Sequence, residues 1–124
     1  MAELNKIVAF VATRNAEKSK LFYQDKLGLK FVTDDGFALV FDIEGTIFRI
    51  ARVKEFNPLP FTVLGWEVEA IEKTVAALSQ KGVTFERFPG LSQDQAGIWA
   101  APGGAKVAWF KDPDGNVLSV SQHK

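Results

Sequence analysis

Imidazole and thiol chemistry are almost absent from this sequence. It has a single histidine, His123, beside the C-terminal Lys124, and no cysteine. Imidazole is the usual ligand for zinc and iron and the usual general base near neutral pH, and thiolate is the alternative for both roles. One chain therefore cannot build a two-histidine metal site, a pair of histidines for acid–base catalysis or a disulfide, and we expect no bound cofactor. The terminal position of His123 favours a frayed tail residue.

The indole rings of Trp99 and Trp109 offer a different chemistry. Tryptophan is the side chain best suited to stacking on a planar ligand. In a chain with 11 phenylalanines, however, tryptophan also serves as a core residue. The sequence leaves both roles open for these two residues.

The sequence contains an internal repeat, so the strands and helices that position these side chains are expected twice. Residues 8–31 align with residues 63–85, which indicates a first module over 1–55 and a second over 61–124, joined by a connector over 56–60 that contains two prolines. The matching runs are a charged tripeptide and, after one skipped residue, a glycine-led segment: Glu17-Lys18-Ser19 with Glu72-Lys73-Thr74, and Gly28-Leu29-Lys30-Phe31 with Gly82-Val83-Thr84-Phe85.

Each module predicts a strand, a helix and three further strands. The first helix has Asn15 as a candidate N-cap and Gly28 as its stop, and the second helix stops at Gly82. β-branched and aromatic runs bounded by turn residues predict the strands. They cover residues 6–13, 30–33, 37–41 and 46–52 in the first module, and 61–68, 84–88, 97–101 with 106–110, and 116–121 in the second. The polar segment 89–96 is the longest loop and a candidate flap.

Three segments carry a resemblance to a known family. They are Asn15-Ala16-Glu17-Lys18-Ser19, Leu21-Phe22-Tyr23 with Leu27-Gly28-Leu29, and the late run from Val107 to Asn116 that contains Asp112-Pro113-Asp114-Gly115. Together with the repeat, the chain resembles the vicinal oxygen chelate superfamily, which includes the glyoxalase I, bleomycin-resistance and extradiol dioxygenase families. The resemblance implies an α+β fold: a single domain over 1–124, whose two βαβββ modules form a cup-shaped, partly open eight-stranded barrel with helices outside.

The same resemblance places the family's metal ligands at four positions whose residues in this sequence cannot bind a divalent metal ion. Its two histidine positions fall at Val8 and Val63, and its two carboxylate positions at Arg49 and Ser119. Valine has no lone pair, serine is a weak neutral ligand, and arginine is a permanent cation that repels a divalent ion. The resemblance therefore implies the metal-free branch of the superfamily, with no metal site.

Residues that share the strand parity of these positions are expected to line the cup, since side chains alternate across a strand. The predicted ligand contacts are Phe10, Arg49, Glu67, Trp99, Trp109 and Ser119. Arg49 is either a fork that captures a carboxylate, phosphate or carbonyl, with Glu67 as counter-ion or catalytic base, or half of a structural ion pair.

The predicted function is that of a metal-free binding protein for a small planar or amphipathic molecule, as in bleomycin resistance. The alternatives are an enzyme of the glyoxalase and dioxygenase group (a lyase, isomerase or dioxygenase) with a non-standard site, and a regulatory protein with an empty cup. The resemblance implies a homodimer. Because 15 basic residues balance 15 acidic ones, neither nucleic acid nor a membrane surface is an expected partner. A cytoplasmic location is the default expectation.

Overall fold

The computed structural model describes residues 2–123 and divides into two compact units, Met1–Asn57 and Pro58–Lys124. We refer to them as unit one and unit two. The boundary lies within the segment 56–60 that contains Pro58 and Pro60. Among the described residues, no helix has the length and apolar character that crossing a membrane requires.

Unit one is a four-stranded sheet with one helix. Its elements are β1 (Val8–Thr13), α1 (Ala16–Leu21), a π-helical turn (Phe22–Lys26), β2 (Lys30–Asp34), β3 (Ala38–Ile43) and β4 (Thr46–Arg52). The strand order is β1-β4-β3-β2. β1 runs parallel to β4, and the other pairs are antiparallel.

Unit two repeats this topology. Its elements are β5 (Thr62–Glu67), α2 (Ile71–Gln80), β6 (Trp99–Ala100), β7 (Lys106–Lys111) and β8 (Val117–Gln122). The strand order is β5-β8-β7-β6, and β5 runs parallel to β8. The predicted α+β class, with a strand, a helix and three strands in each half, is confirmed.

The helix termini follow the predicted signals. The Asn15 side chain accepts a hydrogen bond from the Lys18 N–H at 3.1 Å, which caps α1. Gly28 and Gly82 follow the two helices with φ of 73° and 94°, a left-handed conformation that glycine adopts without a steric penalty.

The helix of unit one ends in a wide turn that the sequence did not predict. The Leu27 N–H donates to the Phe22 carbonyl, five residues earlier, at 3.0 Å. α1 and its π-helical turn together have one residue more between their caps, Asn15 and Leu27, than α2 has between Ala70 and Lys81. The π-helical turn therefore accommodates the residue that was skipped in aligning the two halves.

The core of each unit lies on the helix-covered face of its sheet. In unit one, Tyr23 packs its ring 5.2 Å from Phe48 and 6.2 Å from Phe41, and all three are fully buried. In unit two, Phe110 and Leu118 are likewise fully buried. The opposite face of each sheet, which we call the open face, carries the predicted ligand contacts of the first, fourth, fifth and eighth strands.

One predicted strand is wrong. Residues 84–88 form only a single bridge, from Phe85 to Phe110, and one further backbone hydrogen bond, from the Glu86 N–H to the Trp109 carbonyl at 2.7 Å. The Gln93 side chain accepts from the Phe88 N–H and donates to the Glu86 carbonyl. Because a side chain satisfies these backbone groups, no second strand is needed to pair with them.

Candidate functional site

The open face of unit one combines exposed apolar side chains with one cation. On adjacent strands, Arg49 of β4 lies beside Phe10 of β1 and Val40 of β3. Along the same face Val8, Phe10 and Ile47 are exposed to 44%, 58% and 37%. The structure therefore places Phe10 and Arg49 together, as the alternation of the strands predicted.

The carboxylate partner of Arg49 is Asp35, in the turn between β2 and β3. Arg49 Nη2 donates to Asp35 Oδ2 at 2.6 Å. The Asp35 Oδ1 atom accepts the N–H groups of Phe37 and Ala38, each at 2.9 Å. The Arg49 hydrogen bond, followed by these backbone N–H groups, lowers the pKa of Asp35. Glu67 as counter-ion to Arg49 stays a prediction.

The neighbouring residues Asp34 and Arg52 form a second, more complete pair. Arg52 Nη1 and Nη2 donate to Asp34 Oδ1 and Oδ2 at 2.6 and 2.5 Å. The Arg52 hydrogen bond and the Gly36 N–H lower the pKa of Asp34 to about 2. Both oxygens of Asp34 and both terminal nitrogens of Arg52 are therefore committed.

On the open face of unit two, Ser119 has a glycine on one neighbouring strand and a tryptophan on the other. Ser119 of β8 lies beside Gly65 of β5 and Trp109 of β7. A Cβ atom on Gly65 would lie 2.6 Å from Ser119 Oγ, so glycine leaves the room that this hydroxyl uses. Ser119 is 9% exposed, and its hydroxyl has no hydrogen-bond partner among residues 2–123.

Trp99 and Trp109 form an aromatic pair on this same face. Their ring centroids are 6.0 Å apart and their planes are 33° from parallel. The Phe88 ring meets Trp109 edge-on at 5.3 Å. Each indole is only partly buried, because it lies on the face opposite α2. Both indoles therefore lie outside the helix-covered core, and ligand contact stays a prediction.

The candidate flap 89–96 is tied down by side chains. Gln93 Nε2 donates to the carbonyls of Glu86 and Gly97 at 2.9 and 2.8 Å. Arg87 Nη2 donates to the carbonyls of Asp94 and Gln95. This loop precedes Trp99 in the chain, so its hydrogen bonds help to fix the position of the Trp99 ring.

At the far end of the same face are three groups that could transfer protons. Glu67 of β5 lies beside Ser121 of β8. His123 Nε2 lies 3.2 Å from the Ser121 hydroxyl, so its ring has a contact with the sheet that the tail prediction did not include. Glu67 is exposed, and its role as a base stays a prediction.

The residues at the four metal-ligand positions do not fit a divalent cation. Val8 and Val63 supply no donor atom, Arg49 is a cation paired with Asp35, and Ser119 supplies a neutral hydroxyl. Within residues 2–123, no group of three or more His, Asp or Glu side chains is placed to hold a metal ion. No step of a reaction can be derived through a chelated metal at these positions.

Comparison with known proteins identifies the family. The model of the Glyoxalase/Bleomycin resistance protein/Dioxygenase superfamily matches residues 4–120. The chain belongs to this superfamily. Among curated proteins, no sequence match was found.

Solved structures of the superfamily share the fold at low sequence identity. A glyoxalase family protein from Bacillus anthracis aligns with a TM-score of 0.77 and 16% identity, covering 100% of both chains. Lactoylglutathione lyase from Agrobacterium tumefaciens gives 0.72 and 15%, covering 98% of this chain and 96% of that one. The fosfomycin resistance protein FosX from Listeria monocytogenes gives 0.72 and 13%, covering 100% and 95%.

Two residues of these faces were missed by the sequence analysis. Asp35 belongs to the run Asp34-Asp35-Gly36, which the sequence predicts as a turn between two strands. Its pairing with Arg49 was not predicted, although two consecutive carboxylates in a hairpin opposite two arginines are a signal for cross-strand pairing. Phe88 was assigned to a strand, and its contact with Trp109 depends on the loop that Gln93 holds. No local pattern marks that contact.

Proposed function

We propose that this protein binds a small planar or amphipathic molecule on the open faces of its sheets, without chelating it through a metal. The observation that carries the proposal is the Trp99–Trp109 pair, two partly exposed indoles 6.0 Å apart on the sheet face opposite α2. Rigid aromatic side chains give a flat ligand a large contact area at a low cost in conformational entropy.

Polar groups beside the indoles supply orientation. The Ser119 hydroxyl lies on the strand position next to Trp109 and has no partner within the described residues. A ligand acceptor at hydrogen-bonding distance would satisfy it. Glu67 lies further along the same face. Unit one has a candidate contact surface of its own, where Phe10 and Arg49 offer an apolar and a cationic contact on its open face.

The test is a thermal-unfolding screen against planar aromatic compounds such as quinolines, flavins and bithiazoles. A compound at 100 times its dissociation constant adds about 2.7 kcal/mol to the free energy of unfolding. We expect Trp109→Leu to abolish this stabilisation. Trp66→Leu is the matched control, because Trp66 lies beside Val120 on the helix-covered face. A screen without hits, or a hit that stabilises the Trp109→Leu variant equally, would contradict the proposal.

A second candidate function is catalysis in the glyoxalase and dioxygenase group, as a lyase, isomerase or dioxygenase. It is favoured by the imidazole of His123, the hydroxyl of Ser121 and the carboxylate of Glu67 at adjoining positions of one face. Turnover of lactoylglutathione that is lost in Glu67→Gln would support it. One equivalent of metal in protein purified without an affinity tag would instead overturn the metal-free part of our proposal.

We also infer a homodimer and a cytoplasmic location. The superfamily resemblance supports the dimer. The cytoplasmic location is the default expectation for a chain of this composition. Sedimentation equilibrium of the untagged protein tests the dimer: a mass near the 13.7 kDa of one chain would contradict it.

A further inference from the structure

Two arginines of β4 meet two consecutive carboxylates, Asp34 at the end of β2 and Asp35 in the turn that follows, in different ways. Arg52 places both terminal nitrogens on both oxygens of Asp34. Arg49 uses only Nη2, on the single atom Asp35 Oδ2 at 2.6 Å. Among the described residues, Arg49 Nη1 and Nε have no hydrogen-bond partner. Both terminal nitrogens of Arg52 are therefore occupied, whereas Arg49 keeps N–H donors that can bind a ligand.

Asp35 is a fixed acceptor. Its Oδ1 atom is held by two backbone N–H groups, those of Phe37 and Ala38, at 2.9 Å each. The carboxylate therefore presents Oδ2 to Arg49 from a rigid turn. A side chain held through one nitrogen by a rigid partner loses less conformational entropy when its other donors bind a ligand.

The surroundings of Arg49 define the ligand that these donors suit. Phe10 and Val40 flank it on the two neighbouring strands, and the exposed Val8 and Ile47 continue the apolar surface on the same face. Another carboxylate of this sheet, Asp42 beside Ile47, accepts the Gly45 N–H at 2.8 Å. A guanidinium fork is suited to a carboxylate in shape and charge, and the apolar surface is suited to a hydrocarbon body.

We propose that Arg49 anchors the acid group of an amphipathic small molecule, a carboxylate on an apolar body, and that Asp35 is the residue that positions Arg49. The inference rests on the proposed function in taking a small molecule as the ligand, and it narrows that ligand to an acid. All of its residues lie in unit one, so it is independent of the indole pair.

The experiment compares 2-naphthoate with 2-naphthamide, its neutral isostere, by NMR titration of the ¹⁵N-labelled protein. We expect the naphthoate to bind roughly tenfold more tightly, the effect of one charged hydrogen bond, and to shift the Arg49 Nε–Hε signal. Arg49→Gln removes this preference, so that naphthoate and naphthamide bind with similar affinity. Arg52→Gln, the matched control on the same strand, keeps the preference.

Two further variants separate anchoring from fold effects. Arg49→Lys keeps the charge without the fork and retains part of the preference, and its backbone spectrum reports whether the fold is intact. Asp35→Asn lowers the preference several-fold if Asp35 positions the guanidinium, whereas a rise would show a competing anion and overturn that assignment.

The inference fails if wild-type protein shows no naphthoate preference, or if Arg49→Gln and Arg52→Gln change it equally. The proposed function has a separate failure, because it depends on the loss of stabilisation in Trp109→Leu. A protein that binds planar compounds through Trp109 but ignores the naphthoate charge would lose only the present inference.

Discussion

Arg49 and Ser119 occupy equivalent positions in the two units, and their surroundings differ in charge and polarity. Each lies on the strand that pairs in parallel with the first strand of its unit, on the open face. Arg49 is a cation tethered to a turn carboxylate, and Ser119 is a small hydroxyl between Gly65 and an indole. On the other face the units agree, since the residues on either side of each, Phe48, Ile50, Leu118 and Val120, are all buried. The helix-covered face preserves the scaffold, and the open face is free to diverge.

The largest effects are expected where the units agree. Phe48→Ala should lower the free energy of unfolding by about 3–5 kcal/mol and Leu118→Ala by about 2–5 kcal/mol, because each leaves a cavity in a fully buried core. Arg49→Gln and Ser119→Ala, one position away, should cost about 1 kcal/mol or less. Urea unfolding measures all four. Equal losses in the free energy of unfolding on the two faces would contradict the view that the helix-covered face carries the scaffold.

Intermediate effects are expected at the hairpin turns. Gly36 in unit one and Gly115 in unit two have φ of 90° and 93°, so alanine is strained at both. An added Cβ meets nothing within 4 Å at Gly36, but lies 3.0 Å from Pro58 Cγ at Gly115. We expect Gly36→Ala to cost about 1 kcal/mol and Gly115→Ala about 2–3 kcal/mol. Thermal unfolding measures the difference, and a Gly115→Ala cost no larger than that of Gly36→Ala would contradict a role for the Pro58 contact.

The smallest effect concerns the exposed ion pairs and their dependence on pH. The pKa of Asp34 is about 2, below its ordinary value of 3.8, so its pairing with Arg52 stabilises the fold above about pH 4 and the gain disappears as pH falls through about 2. The difference in melting temperature between wild type and Asp34→Asn should be constant above pH 5 and shrink between pH 4 and 2. A difference that grows on acidification would contradict this assignment.

Unit two offers the control for that experiment. The Lys106 hydrogen bond lowers the pKa of Glu72 from 4.5, so the stabilising effect of this pair has the same sign of pH dependence. Because the ordinary pKa of glutamate is higher, the Glu72→Gln difference should start to shrink at a higher pH than the Asp34→Asn difference.

Local signals predicted much of the fold. The strand over 46–52 was predicted with both of its ends, and the Asn15 cap and the stops at Gly28 and Gly82 follow from backbone chemistry that a few adjacent residues determine. The strand assigned to 84–88 failed because Gln93, a residue outside the segment, supplies the hydrogen bonds that a neighbouring strand would have made.

The sequence predicted which sheet face each candidate site residue lies on, but not which side chains it contacts. Strand alternation placed Phe10 with Arg49 and Gly65 with Ser119 on the open faces. The two carboxylates and two arginines signal ion pairing, but which arginine meets which aspartate depends on the β2–β3 register, which shifts between Phe31 and Thr33. Phe88 meets Trp109 through a long loop whose path is likewise set by distant side chains.

The π-helical turn over Phe22–Lys26 records how the two copies have drifted apart since their duplication. One residue was gained or lost, and the change was absorbed in a helix. In a strand, the same change would have turned every following side chain to the wrong side of the sheet. A change of one residue in the helix therefore leaves Arg49 and Ser119 on their faces, whereas the same change within a strand would not.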